Sequence, residues 1–145
     1  MKKIILVIIS IVIIIVAIIA IKYNSYMLEK NAVLKENVEY EKFIQNEIYG
    51  IDLATLINKT IDANEKNEIE KDENGIFIPN DKNSIQIEIY MQDNETTYKI
   101  ETIHNIGTEQ FVQYYGNIQF KCSRAEYHKS TGKIKYMLFE QLPTS

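Results

Sequence analysis

From Ile4 to Ile21 the chain runs through 18 consecutive residues in which Ser10 is the only polar side chain. As a helix rising ~1.5 Å per residue, such a run reaches ~27 Å, close to the ~30 Å hydrocarbon core of a bilayer. Behind it the pattern changes. Residues 23–48 contain neither Gly nor Pro, are rich in Glu, Lys and Leu, and carry apolar side chains at Tyr23, Met27, Val33, Leu34, Val38, Phe43, Ile44 and Ile48. That spacing predicts that the apolar helix continues as an amphipathic stalk. A strict heptad fails because Lys30, Asn37 and Glu41 fall on the seam, so the stalk is expected to pack on its own domain rather than form a coiled coil.

Tyr49-Gly50 breaks the stalk, and Asp52 is placed to cap a second helix to about Asn64, with Leu53, Leu56, Ile57, Thr60 and Ile61 on one face. A polar stretch from Ala63 to Ser84 follows, interrupted by Ile69 and by Ile76-Phe77-Ile78. Ile85, Ile87, Ile89 and Met91 then alternate with polar residues, the signature of a half-buried strand. Gln92 to Glu95 reads as a turn into a second strand, Thr96 to Ile103, with Tyr98 and Ile100 inward. Thr108 is placed to cap a short helix carrying Phe111, Val112, Tyr114 and Tyr115 and ended by Gly116. Two strands, about Ile118–His128 and Lys133–Leu142, close the chain around Lys129-Ser130-Thr131-Gly132. The expected fold is α+β: a transmembrane anchor over 1–22, a stalk helix over 23–48, and over 49–145 an extracytoplasmic domain with one or two short helices and a mainly antiparallel, four-stranded sheet.

Charge settles the orientation expected of the anchor. Lys2 and Lys3 precede it, while the segment after it mixes Lys22, Lys30 and Lys35 with Glu29 and Glu36, so the short basic tail is expected in the cytoplasm and the domain outside. A cleaved signal peptide is the competing reading. The apolar run exceeds the usual ~7–15 residues, and Ile18 stands where a small residue is wanted before a cut at Ala20, so the segment is expected to be retained. Of sixteen basic residues, Lys2, Lys3 and Lys22 belong to the first 22; the remaining thirteen face twenty acidic ones, a charge of −7 that argues against nucleic-acid binding.

Glu70, Asp72, Asn74 and Asp81, with Gly75 between, partly fit the oxygen positions of a calcium loop. Position 1 is Glu, position 12 is Asp, and Pro79 intrudes, so the segment is read as a hairpin turning at Asn74-Gly75, with calcium as the alternative. Cys122 is the single cysteine, which excludes an intrachain disulfide framework. His104, Cys122, Arg124 and His128 are the candidates for nucleophilic chemistry. A His, a Cys and an Arg behind an anchor resemble the sortase transpeptidases, which end a Thr-Leu-x-Thr-Cys strand on the nucleophile and carry the arginine on the next strand. Here Cys122 follows Gln119-Phe120-Lys121, and Arg124 lies on the same strand. Cys122 shares parity with Ile118 and Phe120 and is expected in the sheet core; the shift of apolar parity to Ala125 and Tyr127 predicts a bulge near Ser123-Arg124. His104 and His128 are expected as polar strand-end residues. No catalytic residue, cofactor or firm metal ligand is assigned.

The segments Tyr49-Gly-Ile-Asp-Leu-Ala-Thr-Leu-Ile-Asn-Lys and Tyr127-His-Lys-Ser-Thr-Gly-Lys-Ile resemble those of small single-pass membrane proteins of low-GC Gram-positive bacteria. The layout is also similar to type IV pilins and pseudopilins, although the leader-peptidase motif is absent and no glutamate lies within Ile4–Ile21. The continuous membrane-to-stalk helix and the lack of a convergent catalytic set lead to the expectation of a non-enzymatic, membrane-anchored component of a cell-envelope assembly, pilin-like or secretion-associated, with the lipid bilayer and other envelope or membrane proteins as partners. The second expectation is an extracytoplasmic binding or sensing module, linked to calcium through Glu70–Asp81.

Overall fold

In the computed structural model, which describes residues 2–143, the apolar run and most of the stalk form one helix, α1 (Lys2–Ile44), with no Gly or Pro to interrupt it. The chain divides into two compact units, Met1–Lys35 and Glu36–Ser145. In the first, the large apolar side chains from Ile4 to Ile21 are 49–67% exposed, and Ser10 satisfies its hydroxyl on Leu6 O at 2.9 Å, one turn back. This helix is long and apolar enough to cross a membrane or to serve as a signal anchor.

The second unit begins on the last turns of α1 and continues through β1 (Glu47–Tyr49), α2 (Gly50–Lys66), β2 (Gln86–Met91), β3 (Thr96–Lys99), α3 (Ile100–Ile106), α4 (Thr108–Tyr115), β4 (Gln119–Tyr127) and β5 (Ile134–Gln141). The sheet is five-stranded in the order β1-β4-β5-β2-β3, not four-stranded. It is also mixed: β2 and β5 run parallel, while the other neighbours are antiparallel. The extra strand, β1, uses the residues expected to end the stalk. Ile48 alone of the three turns inward, opposite Phe120, so α1 stops at Ile44 and the chain extends to pair with β4.

The strand expected over Thr96–Ile103 is half strand and half helix. Tyr98 and Ile100 fit a period of two, but Ile103 does not; Ile100 and Ile103 are three apart, and both bury their side chains on one face of α3. Two expected caps also differ. Tyr49 and Gly107 occupy the N-cap positions of α2 and α4 without side-chain bonds, and Asp52 and Thr108 lie inside the helices. The bulge falls where the parity shift placed it: Cys122 pairs with Phe139 and Arg124 with Leu138, leaving Ser123 extra.

One face of the sheet is the core face, where Ile48, Phe120, Ile87, Ile89, Met137 and Phe139 meet Leu53, Leu56, Ile57 and Ile61 of α2 and Ile100, Ile103 and Phe111 of the two short helices. Tyr40 and Phe43, from the end of α1, join the same core, but Tyr23, Leu34 and Val38, expected along the apolar stripe of the stalk, are 54–64% exposed, so only the last turns of the helix pack on the domain. The opposite face is largely charged, with Glu47, Lys121 and Glu140 as cross-strand neighbours in one row that ends on Tyr90, and Arg124, Leu138, Glu88 and Lys99 in another. Alternating signs across neighbouring strands suit a solvated face.

Candidate functional site

Gly107 separates α3 from α4 with φ at +114°, a left-handed value that suits glycine, and its amide donates to Ile103 O and His104 O. The sharp change of direction opens an apolar cleft of about 180 Å³ between the two helices and the β3 margin of the sheet. Met91 and Tyr98 line it from the strands; Ile103, Ile106, Phe111 and Tyr114 line it from the helices. Phe111 fixes one wall through ring contacts with Tyr115, centroids 5.3 Å apart, and with Phe120 at 6.1 Å. Ile106 and Tyr114 stand at the rim, 63% and 69% exposed. Tyr114 lies on the expected short helix and Ile106 just before it, yet sequence periodicity does not tell an apolar rim residue from a core one.

The calcium candidates are dispersed. Glu70, Asp72, Asn74 and Asp81 are all exposed. Asp72 N donates to Ile76 O, Ile78 N donates to Glu70 O, and Lys71 bridges Phe77, which makes the segment the expected hairpin around Asn74-Gly75. Asp72 Oδ1 accepts the amides of Asn74 at 2.8 Å and Ile76 at 2.9 Å, so this oxygen holds the turn. Asp81 belongs to a different turn, in which Asn80 Oδ1 accepts the amides of Lys82, Asn83 and Ser84. Among the described residues, no three His, Cys, Asp or Glu side chains are grouped for a metal ion.

The four residues considered for nucleophilic chemistry do not converge either. His104 is exposed on α3 instead of at a strand end. His128 follows β4 and is buried, its Nε2 2.8 Å from Ser84 O. Cys122 is half-buried against the core rather than within it, and its Sγ lies 3.3 Å from Arg124 O. Burial pushes its thiol pKa up, only partly offset by the backbone at Arg124 and Leu138, which is the reverse of an activated nucleophile. The bulge sends Arg124 to the polar face, where it pairs with Glu126 and lies over the Tyr136 ring at 5.6 Å. Burial and the neighbouring Glu88 carboxylate, which accepts the Tyr136 hydroxyl at 2.7 Å, push that tyrosine up to about 12.

What sequence reasoning missed most is a set of buried amides. Asn64 donates Nδ2 to Ile85 O at 2.7 Å and accepts Ile85 N at 2.9 Å, tying α2 to the start of β2. Asn37 does the same for the β4–β5 turn, donating to Gly132 O at 2.8 Å and accepting Ile134 N at 3.0 Å. Asn64 continues the buried face of α2 one turn beyond Thr60 and Ile61, so its position was visible in the spacing although its partner was not. Comparison with family models, with curated proteins and with solved structures returns no match for this chain.

Proposed function

We propose that the chain is a single-pass, membrane-anchored component of a cell-envelope assembly, with its N-terminus inside, its domain outside, and a role in binding rather than catalysis. The observation that carries this reading is α1. One helix holds both a lipid-length run of exposed apolar side chains and, in its last turns, Asn37, Tyr40 and Phe43 built into the domain's clamp and core. An apolar run so exposed requires lipid or a partner to cover it. Lys2 and Lys3 favour retention of the N-terminus in the cytoplasm.

Two further observations support a binding role. Cys122, Arg124, His104 and His128 do not form a nucleophile with its base, and the rim of the Gly107 cleft exposes apolar side chains that a solvated surface does not need. The test is chemical cross-linking of membranes carrying the full chain with a C-terminal tag, followed by purification and identification of the adducts. Reproducible recovery of envelope-assembly proteins is the expected outcome; recovery of the tagged chain alone overturns the reading. The calcium-linked alternative is weighed by thermal unfolding with and without calcium, and an upward shift would move the function to sensing.

A further inference from the structure

We infer that the cleft beside Gly107 takes an extended segment of another protein, added along the free edge of β3, with a large apolar side chain seated in the cleft and basic residues flanking it. This inference rests on the binding role proposed above. Three observations lead to it.

The first is size. About 180 Å³ is too small for the ~300–1,000 Å³ pockets that enclose a whole small-molecule ligand, and suits one aromatic or large aliphatic side chain. An apolar cleft for a single anchor, walled by Tyr98 and Phe111 with Tyr114 at the rim, is the form that binding hot spots take.

The second is the edge. Among the described residues β3 pairs only with β2, and Tyr98, at the centre of β3, is itself part of the cleft wall. An incoming strand on that edge gains main-chain hydrogen bonds and brings alternate side chains over the cleft. With four residues in β3, the segment it can pair is short.

The third is charge. No lining residue is ionised; Asp93 and Glu95 lie in the turn between the lining Met91 and Tyr98, and Glu109 adjoins Gln110, against Lys99 beside Tyr98, while Glu101 is buried. The eleven basic and nineteen acidic residues of 36–145 give the unit that holds the cleft the same sign, −8. An apolar anchor between cationic flanks is the complement of such a site.

The chain contains no tryptophan, so Tyr114→Trp places a single indole at the rim as a reporter. The full chain carrying this change, in nanodiscs of uncharged phosphatidylcholine, is titrated with three acetylated and amidated peptides: Lys-Val-Phe-Val-Lys, Glu-Val-Phe-Val-Glu and Lys-Ser-Ala-Ser-Lys. The expected result is saturable quenching or a spectral shift with the first peptide, at least about tenfold weaker with each of the others, and weakening between ~50 and ~500 mM salt. Adding Ile106→Lys, at an exposed position where refolding is not at stake, should weaken the first peptide by about tenfold or more while the circular dichroism spectrum stays unchanged. No saturable response, equal binding of the Lys-flanked and Glu-flanked peptides, or a response driven by protein concentration in the absence of peptide (a second copy in the cleft) overturns the inference. Cross-linking to envelope proteins that survives Ile106→Lys would overturn the cleft as the docking site and leave the binding role standing.

Discussion

Asn64 and Asn37 show how a single polar side chain can decide where a loop goes. Each presents an amide edge that satisfies one backbone donor and one backbone acceptor, the two groups a neighbouring strand would otherwise supply. Replacing the amide with an apolar group of similar size leaves both backbone partners buried and unpaired. Asn64→Leu is therefore expected to cost about 2–4 kcal/mol, read as a lowered urea midpoint of the detergent-solubilised chain. An unchanged midpoint would mean that water replaces the clamp at no cost. Tyr40 gives a pH prediction of definite sign. Burial, reinforced by Glu36 and Glu39, pushes its hydroxyl up to about 12, so the folded chain keeps this proton between pH 10 and 12 while the unfolded chain loses it. Stability must then fall as pH rises through that window, by up to about 2–3 kcal/mol for this group. Tyr40→Phe should flatten the alkaline slope of the urea midpoint, and an identical slope in the variant would refute the assignment. Cys122, half-buried with a raised pKa, is expected to react with iodoacetamide more slowly in the folded chain than in denaturant; equal or faster reaction would reopen thiol chemistry.

Between elements, the start of α2 packs tightly against the end of α4. Gly50 N donates to Ile118 O and Ile51 N to Gly116 O, which seats the helix on the α4–β4 connection. A Cβ on Gly50 would lie 1.9 Å from Tyr115 O and 2.6 Å from its carbonyl carbon, both backbone atoms that cannot rotate away. Gly50→Ala is expected to displace α2 from α4 and to cost several kcal/mol (about 3–5), although alanine is the better helix former. Thermal unfolding of the variant checks this: a change of less than ~1 kcal/mol would show that the connection yields easily. The sheet's margins follow a similar economy. β1 is three residues and β3 four, short edges that limit uncontrolled pairing and still leave β3 long enough to accept one brief partner strand.

For the molecule as a whole, the proposed N-in, C-out arrangement makes a direct prediction. Protease added to protoplasts should remove a C-terminal tag and fragments of 23–145 while sparing the N-terminus. Full protection of the tag would place the domain inside. Reversing the flanking charge, with Lys2→Glu and Lys3→Glu together, should erode that orientation and raise the protected fraction. Because the alternative of cleavage acts on the same segment, the mass of the mature chain separates retention from processing.

The elements legible in the sequence alone were those whose signal is local. Eighteen residues with one hydroxyl specify a lipid-length helix, strict alternation from Ile85 to Met91 specifies β2, and Asn74-Gly75 specifies a tight turn, because side-chain period and backbone preference act within a few residues. The bulge at Ser123 was legible for the same reason, as a slip in parity along one strand. Strand direction and order were not. The alternation of β2 and β5 is the same whether they pair parallel or antiparallel, and only the packing of α2, α3 and α4 on one face decides that they lie side by side. β1 has too few residues to show a period, and exists because β4 offers it a partner. The Gly107 cleft depends on the angle between two short helices and on how they meet the margin of the sheet. Its walls are ordinary apolar residues in the sequence, and only tertiary structure leaves Ile106 and Tyr114 uncovered.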